Sequence, residues 1–312
     1  MTKVDRPNVT PWGSAGHDPA WLVSCADAEG SYSAWIVEDS PARIEVMRFD
    51  SLGQAAWPAP VTADARLTPD RAPFAICSDG LGGVIVAYVA DRGQRGGKLG
   101  SIVLQRLDLY GRTLWSTGAV LADRDVRNTA PELVTCGDGG AILAWSEGFL
   151  WGVRVAVQRV DSNGIASWRE ELLTPYHADQ DAPAACSDGA GGAIICWTEG
   201  IEYLPGITLH EQSTSWCRTG EPIIPRPGPW LRAQRLDRKG HRLWGGLGVL
   251  LSDPEAHASL IRLVRTGDRT ACAEWYQSDV GPGTHRQEFD VATGELLEAA
   301  DSPSGSQAPG AN

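Results

Sequence analysis

Three of the six histidines occupy positions that suit metal binding or proton transfer. His17, His177 and His257 each stand shortly before a segment that recurs along the chain. A neutral imidazole nitrogen binds divalent cations, and the ring titrates near neutral pH, so three such rings at one place could hold a divalent metal or act as acid and base. Their spacings to the recurring segment differ, and solvated loop histidines are the alternative.

Carboxylates extend this candidate site. Asp18 and Asp181 lie near two of the histidines in sequence, and an acidic residue follows the apolar run that closes each segment: Glu38, Asp91, Glu147, Glu199 and Asp279. Paired carboxylates can supply the acid and the base of glycoside hydrolysis. The candidate catalytic residues are therefore His17, His177, His257, Glu147 and Glu199. No Ser-His-Asp, Walker, zinc-finger or dinucleotide motif accompanies them.

Four of the seven cysteines stand two residues before a turn aspartate: Cys25, Cys77, Cys136 and Cys186, with Thr266 at the fifth such place. A ring of thiols could bind a metal. Equivalent positions in separate repeats, however, lie further apart than the ~7 Å between Cα atoms that a disulfide tolerates, and too far apart to share a tetrahedral ion. Small buried hydrophobic side chains are the predicted role. The adjacent aspartates are predicted to cap their turns: Asp27, Asp79, Asp138, Asp188 and Asp268.

The largest departure from the recurring pattern is residues 200–229, GIEYLPGITLHEQSTSWCRTGEPIIPRPGP. Its prolines favour a stiff segment. This insert is predicted to form a lid over a central mouth, with surface decoration as the alternative. The candidate ligand-binding residues are five residues of the insert and one other tryptophan that lies outside the repeat: Trp151, Tyr203, His210, Glu211, Trp216 and Arg218.

The acidic balance of the chain argues against two classes of partner. The 27 Lys plus Arg against 39 Asp plus Glu give a formal net charge of -12, without a long basic cluster. Neither nucleic acid nor an anionic membrane surface is therefore an expected partner. Residues 1–20 contain no apolar run, and an odd number of cysteines in a chain of 312 residues favours a reduced compartment. The expected location is the cytoplasm, with secretion as the alternative if a leader has been removed.

A repeat organises all of these residues. PFAICSDGLGGVIVAY (73–88) and PAACSDGAGGAIICW (183–197) are near copies, and related segments begin at 19, 131 and 260. A second half follows each copy, as in SIVLQRLDLYGRTLW (101–115) and RVAVQRVDSNGIASW (154–168). Apolar residues alternate with period two, and Asp, Asn and Gly stand at the turns, so each unit predicts four antiparallel strands. Five such units predict an all-β, five-bladed β-propeller.

Tryptophans at repeated positions predict how the blades pack. Four stand on the second strand of a unit, Trp35, Trp145, Trp197 and Trp275, and four at its fourth strand, Trp57, Trp115, Trp168 and Trp244. Large flat side chains at fixed places fill the space between twisted blades. The fifth unit can supply all four strands from residues 260–297, and residues 10–16 are the alternative source of its outermost strand.

The repeat resembles that of a broad group of bacterial β-propeller repeat proteins. Their units carry a DGxGG hairpin and a QRLDxxGxxLW hairpin, and the resemblance covers roughly residues 19–297. It implies the fold and transfers no catalytic residue. The expected organisation is an N-terminal segment of residues 1–18, a propeller domain of residues 19–297 and a disordered tail of residues 298–312.

Two functions fit these patterns. The first is a binding module that recognises a small molecule, a glycan or a protein on the face covered by the insert, where tryptophans outside the repeat could stack on a ligand. The second is an intracellular hydrolase, lyase or cofactor-independent cyclase that acts on a small molecule in the central pocket, where a lid would exclude water. A divalent metal is a possible cofactor of either.

Overall fold

The computed structural model describes residues 22–37, 42–64, 74–91, 100–115, 119–121, 127–128, 131–149, 152–170, 173, 179–200, 229–253, 257–278 and 282–298. All regular elements within these ranges are β-strands. Over the same ranges, no helix has the length and apolar character needed to cross a membrane.

The strands form five antiparallel sheets in chain order. Sheet one contains β1 Leu22–Ala26, β2 Gly30–Val37, β3 Arg43–Asp50 and β4 Val61–Asp64. Sheet two contains β5 Phe74–Ser78, β6 Val84–Asp91, β7 Gly100–Leu107 and β8 Ala119–Leu121. Sheet three contains β9 Arg127–Asn128, β10 Glu132–Thr135, β11 Ala141–Phe149, β12 Gly152–Val160 and β13 Ala166–Glu170, with β9 paired to β11.

The last two sheets continue the series. Sheet four contains β14 Asp179–Ser187, β15 Ala193–Gly200, β16 Trp230–Leu236 and β17 Val249–Leu250. Sheet five contains β18 Ala258–Arg265, β19 Thr270–Gln277 and β20 Gly283–Asp290. A single bridge between Phe289 and Leu296 follows β20. The described residues of this unit therefore form three strands and this bridge. Residues 10–16, the alternative source of an outermost strand, lie outside the described residues, so the source of that strand stays a prediction.

The sheets stand side by side, with their first strands forming an inner row. β1 neighbours β5, β5 neighbours β10, β10 neighbours β14, and β14 neighbours β18. Successive antiparallel sheets with adjacent first strands are the blades of a β-propeller. The prediction of an all-β propeller is confirmed at this level.

The hydrophobic core lies between the sheets. Four clusters of buried side chains fill the spaces between sheets one and two, two and three, three and four, and four and five. Trp145, Trp197 and Trp275 are at most 5% exposed, and each packs against the preceding sheet. The alternating pattern of the strands places one apolar set on each side of a sheet, so every inner sheet contributes to two clusters.

Tryptophans near the fourth strands join each sheet to the next. Trp168 lies within β13, whereas the other three precede the fourth strand of their sheet. Each indole Nε1–H donates to a backbone carbonyl in a turn of the following sheet. The pairs are Trp57 to Leu109 at 2.8 Å, Trp115 to Ser162 at 3.1 Å, Trp168 to Arg238 at 3.0 Å and Trp244 to Val291 at 3.3 Å. The predicted role of these tryptophans in blade packing is confirmed.

Glycine permits this close approach. The turn that receives each indole contains a glycine with positive φ: Gly111, Gly164, Gly240 and Gly294. At Gly240, an added Cβ would lie 2.8 Å from Cδ2 and 3.0 Å from Cε3 of Trp168. Glycine meets two demands at once, a left-handed backbone conformation and contact between backbone and ring.

Two sets of turns share one edge of the sheets, which we call the turn face. These are the turns between first and second strands and those between third and fourth strands. At this face Oδ1 of Asp79 accepts from the amides of Leu81 and Gly83, both at 2.7 Å, and Oδ2 accepts from Arg106 Nε at 2.8 Å. Asp188 and Arg235 repeat the arrangement in sheet four. The prediction of turn capping is confirmed for these aspartates.

We predict that Gly240→Ala weakens the joint between sheets three and four. The new methyl group would overlap the Trp168 ring, and overpacking of this kind costs roughly 1–3 kcal/mol in free energy of unfolding. Gly53→Ala is the matched control, because Gly53 has a φ of +75° and nothing within 4 Å of an added Cβ. Thermal or urea unfolding of both variants should show a larger loss for Gly240→Ala. Equal losses would contradict a packing role for Gly240.

Candidate functional site

The edge opposite the turn face, which we call the loop face, carries the described candidates. Second strands end there and first strands begin there, and it holds Glu147, Glu199 and His257. The remaining catalytic and ligand-binding candidates lie outside the described residues: His17, His177, Trp151, Tyr203, His210, Glu211, Trp216 and Arg218. The insert itself is described only at Gly200 and Pro229.

A Trp-x-Glu/Gln pattern ends the second strands of sheets three, four and five. The pairs are Trp145 with Glu147, Trp197 with Glu199 and Trp275 with Gln277, and each indole Nε1–H donates to the acidic or amide side chain at 3.2 Å. Residues two apart on a strand lie on the same side of the sheet, which allows the contact. The tryptophans and the carboxylates were predicted separately from the sequence. Their two-residue spacing in three units indicates this contact, because residues two apart share one side of a strand.

Glu199 is fully buried and accepts hydrogen bonds at both carboxylate oxygens. Oε1 accepts from Arg232 Nε at 2.7 Å and from Trp230 Nε1 at 3.2 Å. Oε2 accepts from Trp197 Nε1 at 3.2 Å and from Gln180 Nε2 at 3.5 Å. Four donors therefore hold the Glu199 carboxylate in one orientation.

Glu147 has an equivalent environment in sheet three. It is fully buried, and Arg154 donates to its Oε2 through Nε at 3.3 Å and through Nη2 at 3.2 Å. Arg169 and Trp145 donate to Oε1, and the Arg169 guanidinium lies 5.1 Å from the centre of the Trp145 ring. Two arginines therefore contact this one buried carboxylate.

These environments restrict the chemistry of both carboxylates. General acid catalysis needs a carboxyl group that is protonated near the working pH, and general base catalysis needs an oxygen that faces the substrate. Oε1 of Glu147 accepts from Arg169 and Trp145, its Oε2 accepts twice from Arg154, and each oxygen of Glu199 accepts from two side chains. The geometry gives both residues the role of positioning the surrounding tryptophans and arginines.

The structure brings Glu199, both ends of the insert and His257 to the same part of the loop face. Glu199 pairs with Trp230 across β15 and β16, so the insert leaves and re-enters sheet four at adjacent positions. The Pro229 carbonyl accepts from the Ala258 amide at 2.8 Å. His257, immediately before Ala258, is exposed, and its carbonyl accepts from the Ser278 amide at 3.2 Å.

A strained residue stands beside this group. Ala182 has a φ of +48° and lies in a β-bulge at the start of the inner strand β14. Its amide donates to Oδ1 of Asp181 at 2.7 Å, and Thr198 Oγ1 donates to the Asp181 carbonyl at 2.9 Å. The left-handed region costs a non-glycine residue about 1–3 kcal/mol, and such residues concentrate at functional sites.

The cysteines do not form one equivalent set. Cys25, Cys77 and Cys186 share a ladder position, opposite Tyr32, Ile85 and Ile194. Cys136 does not, because its amide begins the turn by donating to Gly140, as the Asp79 amide does to Gly83. The turn keeps five residues, but Cys136 stands two residues closer to the second strand than Cys77 and Cys186 do and so becomes the first residue of the turn. The expectation of four equivalent cysteines is wrong.

Burial governs the thiol chemistry. It raises the pKa of Cys25 and Cys186 to about 12 and places the pKa of Cys77 well above the ordinary value. All six described cysteines are free thiols. Among the described residues, no group of three or more His, Cys, Asp or Glu side chains has an arrangement that could hold a metal ion.

Comparisons with known proteins show similarity at the level of the fold. No family model and no curated protein matches the chain. Among solved structures, an ulvan lyase of polysaccharide lyase family PL25 has a TM-score of 0.56 at 11% identity, covering 88% of this chain and 69% of the lyase. Polysaccharide lyase Uly1 has a TM-score of 0.52 at 11% identity, covering 93% of this chain and 73% of the lyase.

A third similar structure is the β-propeller domain of the Trilobed protease from Pyrococcus furiosus. It has a TM-score of 0.46 at 12% identity, with 92% of this chain and 74% of the domain covered. At these identities the similarity to the two lyases shows the fold alone.

Removing the Glu199 carboxylate should destabilise the protein strongly. Glu199→Ala removes the carboxylate that lies 2.7 Å from Arg232, whose side chain is 12% exposed, and breaking a buried pair in this way costs about 3–5 kcal/mol. The control is Arg112→Ala, which removes a pair with Asp108 in which Arg112 is 73% exposed and should cost less than about 1 kcal/mol. Chemical denaturation measures both. A loss below 1 kcal/mol for Glu199→Ala would contradict a positioning role.

Thiol labelling tests the packing of the cysteines. Because burial raises the thiol pKa values, little thiolate is present at pH 8, and a bulky disulfide reagent should modify the native protein quickly at no more than one or two sites. Cys217, which lies in the insert outside the described residues, is the expected fast site, and Cys217→Ser should remove that phase. Rapid labelling of Cys25, Cys77 and Cys186 together would contradict their burial.

Proposed function

We propose that this chain is a five-bladed β-propeller that binds a glycan or small molecule at its loop face, beneath the insert of residues 200–229. Each of the five sheets supplies one blade. The ligand would lie over the loop-face ends of sheets four and five, in reach of His257 and of the ligand-binding candidates within the insert.

The observation that carries this proposal is that the carboxylate oxygens of Glu147 and Glu199 already accept hydrogen bonds from neighbouring side chains. Both are the expected acid and base of a two-carboxylate hydrolase, yet both are buried and hold two donors at each oxygen. Side chains held in this way form a rigid rim. A rigid rim with variable loops supports ligand recognition.

The surroundings of Glu199 support the same conclusion. The two ends of the insert are adjacent at the loop-face edge of sheet four. Tyr276, at the loop-face end of β19, is 50% exposed and stands next to Gln277. Exposed aromatic rings beside polar side chains are the usual contact surface for sugars and flat polar ligands.

An enzyme is the second candidate, and Ala182 is the observation that favours it. Its strained backbone fixes the position of Asp181, an exposed carboxylate on the inner strand of sheet four. If the chain is an enzyme, Asp181 and the candidate histidines would carry the proton transfers in place of Glu147 and Glu199.

Replacing residues 201–228 with a short glycine-containing hairpin tests the location of the site. Since Gly200 and Pro229 are adjacent, with 3.0 Å between an added Gly200 Cβ and the Pro229 Cα, a short connection can close sheet four. Binding of neutral, uronate-containing and sulfated oligosaccharides, measured by calorimetry, should be lost while the melting temperature changes by only a few degrees. Unchanged binding would place the site elsewhere.

Point variants separate the two functions. In an enzyme or metal site, at least one of His17→Ala, His177→Ala and His257→Ala should lower turnover or metal content by a factor of ~100 or more. In a binding module, Trp216→Ala should weaken binding more than any of them. His241→Ala is the matched control, because this exposed histidine lies on the turn face beside Asp237. Mass spectrometry of the incubated oligosaccharides measures turnover.

A further inference from the structure

The four joints between consecutive sheets use the same devices, and the described residues of sheets five and one do not form such a joint with each other. Each of the four has an apolar cluster, an indole-to-carbonyl hydrogen bond and a glycine against the tryptophan. The turn of sheet five is one residue longer, and the Leu297 amide donates to Glu288 as the Leu243 amide donates to Arg235, so the position equivalent to those tryptophans holds Glu298. The equivalent receiving glycine in sheet one, Gly53, has nothing within 4 Å of an added Cβ.

The side of sheet five that points away from sheet four also differs from its counterparts. We call it the outer face of sheet five, and it carries Arg262, Glu274, Arg286 and Glu288. At the ladder position of Glu274 the other four sheets hold Ala34, Ala87, Ala144 and Cys196, and at that of Arg286 they hold Val46, Leu104, Val157 and Ala233. All eight of these side chains are fully buried, whereas Arg286 is 46% and Arg262 is 54% exposed.

The charged side chains of this outer face form ion pairs with one another within the sheet. Arg262 binds Glu274 through two hydrogen bonds, at 2.7 and 2.9 Å, and this contact lowers the pKa of Glu274. Arg286 donates to Glu288 at 2.6 Å and to the Cys272 sulfur at 3.1 Å. Burying such a neutralised ladder under another sheet would remove its hydration without supplying new partners, which is unfavourable.

Sheet one shows the complementary departure on the side that points away from sheet two. Ser24 and Ser33 hydrogen-bond to each other at 2.9 Å. The same cross-strand pair is Ile76 with Val86 in sheet two, Leu133 with Leu143 in sheet three, Ala185 with Ile195 in sheet four and Leu263 with Ala273 in sheet five. Leu22 is 55% exposed, and Trp35 is only partly buried although its counterparts are buried.

We propose that sheets five and one are terminal caps of the stack, separated by a polar, hydrated seam through which the propeller can open, and that they are not interlocked as the other sheets are. This rests on the five-bladed arrangement proposed above. In stacked repeats, a terminal unit with a polar outer side ends the stack and keeps it soluble. A hydrated seam also gives an extended ligand, such as a glycan chain, a lateral route to the centre of the loop face.

Hydrogen–deuterium exchange of the full chain tests whether the two sheets are coupled. Glu274→Gln removes the charge that holds the ladder, so exchange in residues 258–290 should rise by about threefold or more. Exchange in residues 22–50 should stay within about twofold, because a hydrated seam transmits no packing change. Arg112→Gln, in an exposed pair on the turn face, is the control. Acceleration of sheet one together with sheet five would overturn the proposal.

A second variant keeps the test decisive if exchange in sheet five is already fast. The combined change Arg262→Ala, Glu274→Ala and Arg286→Val gives sheet five the side chains that the covered sheets carry. If the seam is hydrated, an apolar surface becomes exposed, and sedimentation velocity should show new, concentration-dependent self-association. A higher melting temperature without self-association would mean that sheet one already covers this face. Neither readout involves a ligand, so failure of the proposed binding function leaves both outcomes interpretable.

Discussion

The hydrogen bond from a tryptophan indole to a backbone carbonyl of the next sheet is the interaction on which this structure depends. It recurs at four joints, between residues 47 to 70 positions apart in sequence. Each bond requires the ring to lie against a turn, and a side chain at the contacting glycine would prevent that approach. Orientation of neighbouring blades, and therefore of the loop face, follows from this contact.

The two faces of the stack serve different physical purposes. At the turn face, aspartates satisfy backbone amides and arginines cross to the next sheet, as Arg106 does by donating to the Ser162 carbonyl at 3.1 Å. At the loop face the repeat varies: only sheets three to five carry the Trp-x-Glu/Gln pairs, and only sheet four carries the insert. Buried carboxylates with two donors on each oxygen make the rim stiff, which favours recognition because less ordering is needed when a ligand binds.

The polar outer faces of sheets one and five follow from the same packing rule. An apolar sheet face needs a covering sheet, and each of the four joints supplies one. Where the indole contact is missing, Ser24, Ser33, Arg262 and Glu274 take the places of apolar residues. At these faces the polar residues of the sequence agree with the tertiary packing, and such agreement between local sequence and tertiary structure is typical of a stable fold.

The sequence by itself determined the strands, the turns, the repeat and the packing role of the tryptophans, because period-two alternation and Asp-Gly turns are local properties. Tertiary structure decided what depends on contacts between distant residues or on strand register. It assigned Arg232, Trp230 and Gln180 to Glu199, and it placed Cys136 in a turn, outside the cysteine set. The repeat placed Glu147 and Glu199 near a mouth, but only packing showed that neighbouring side chains already hydrogen-bond to their oxygens, since the arginine donors come from other strands.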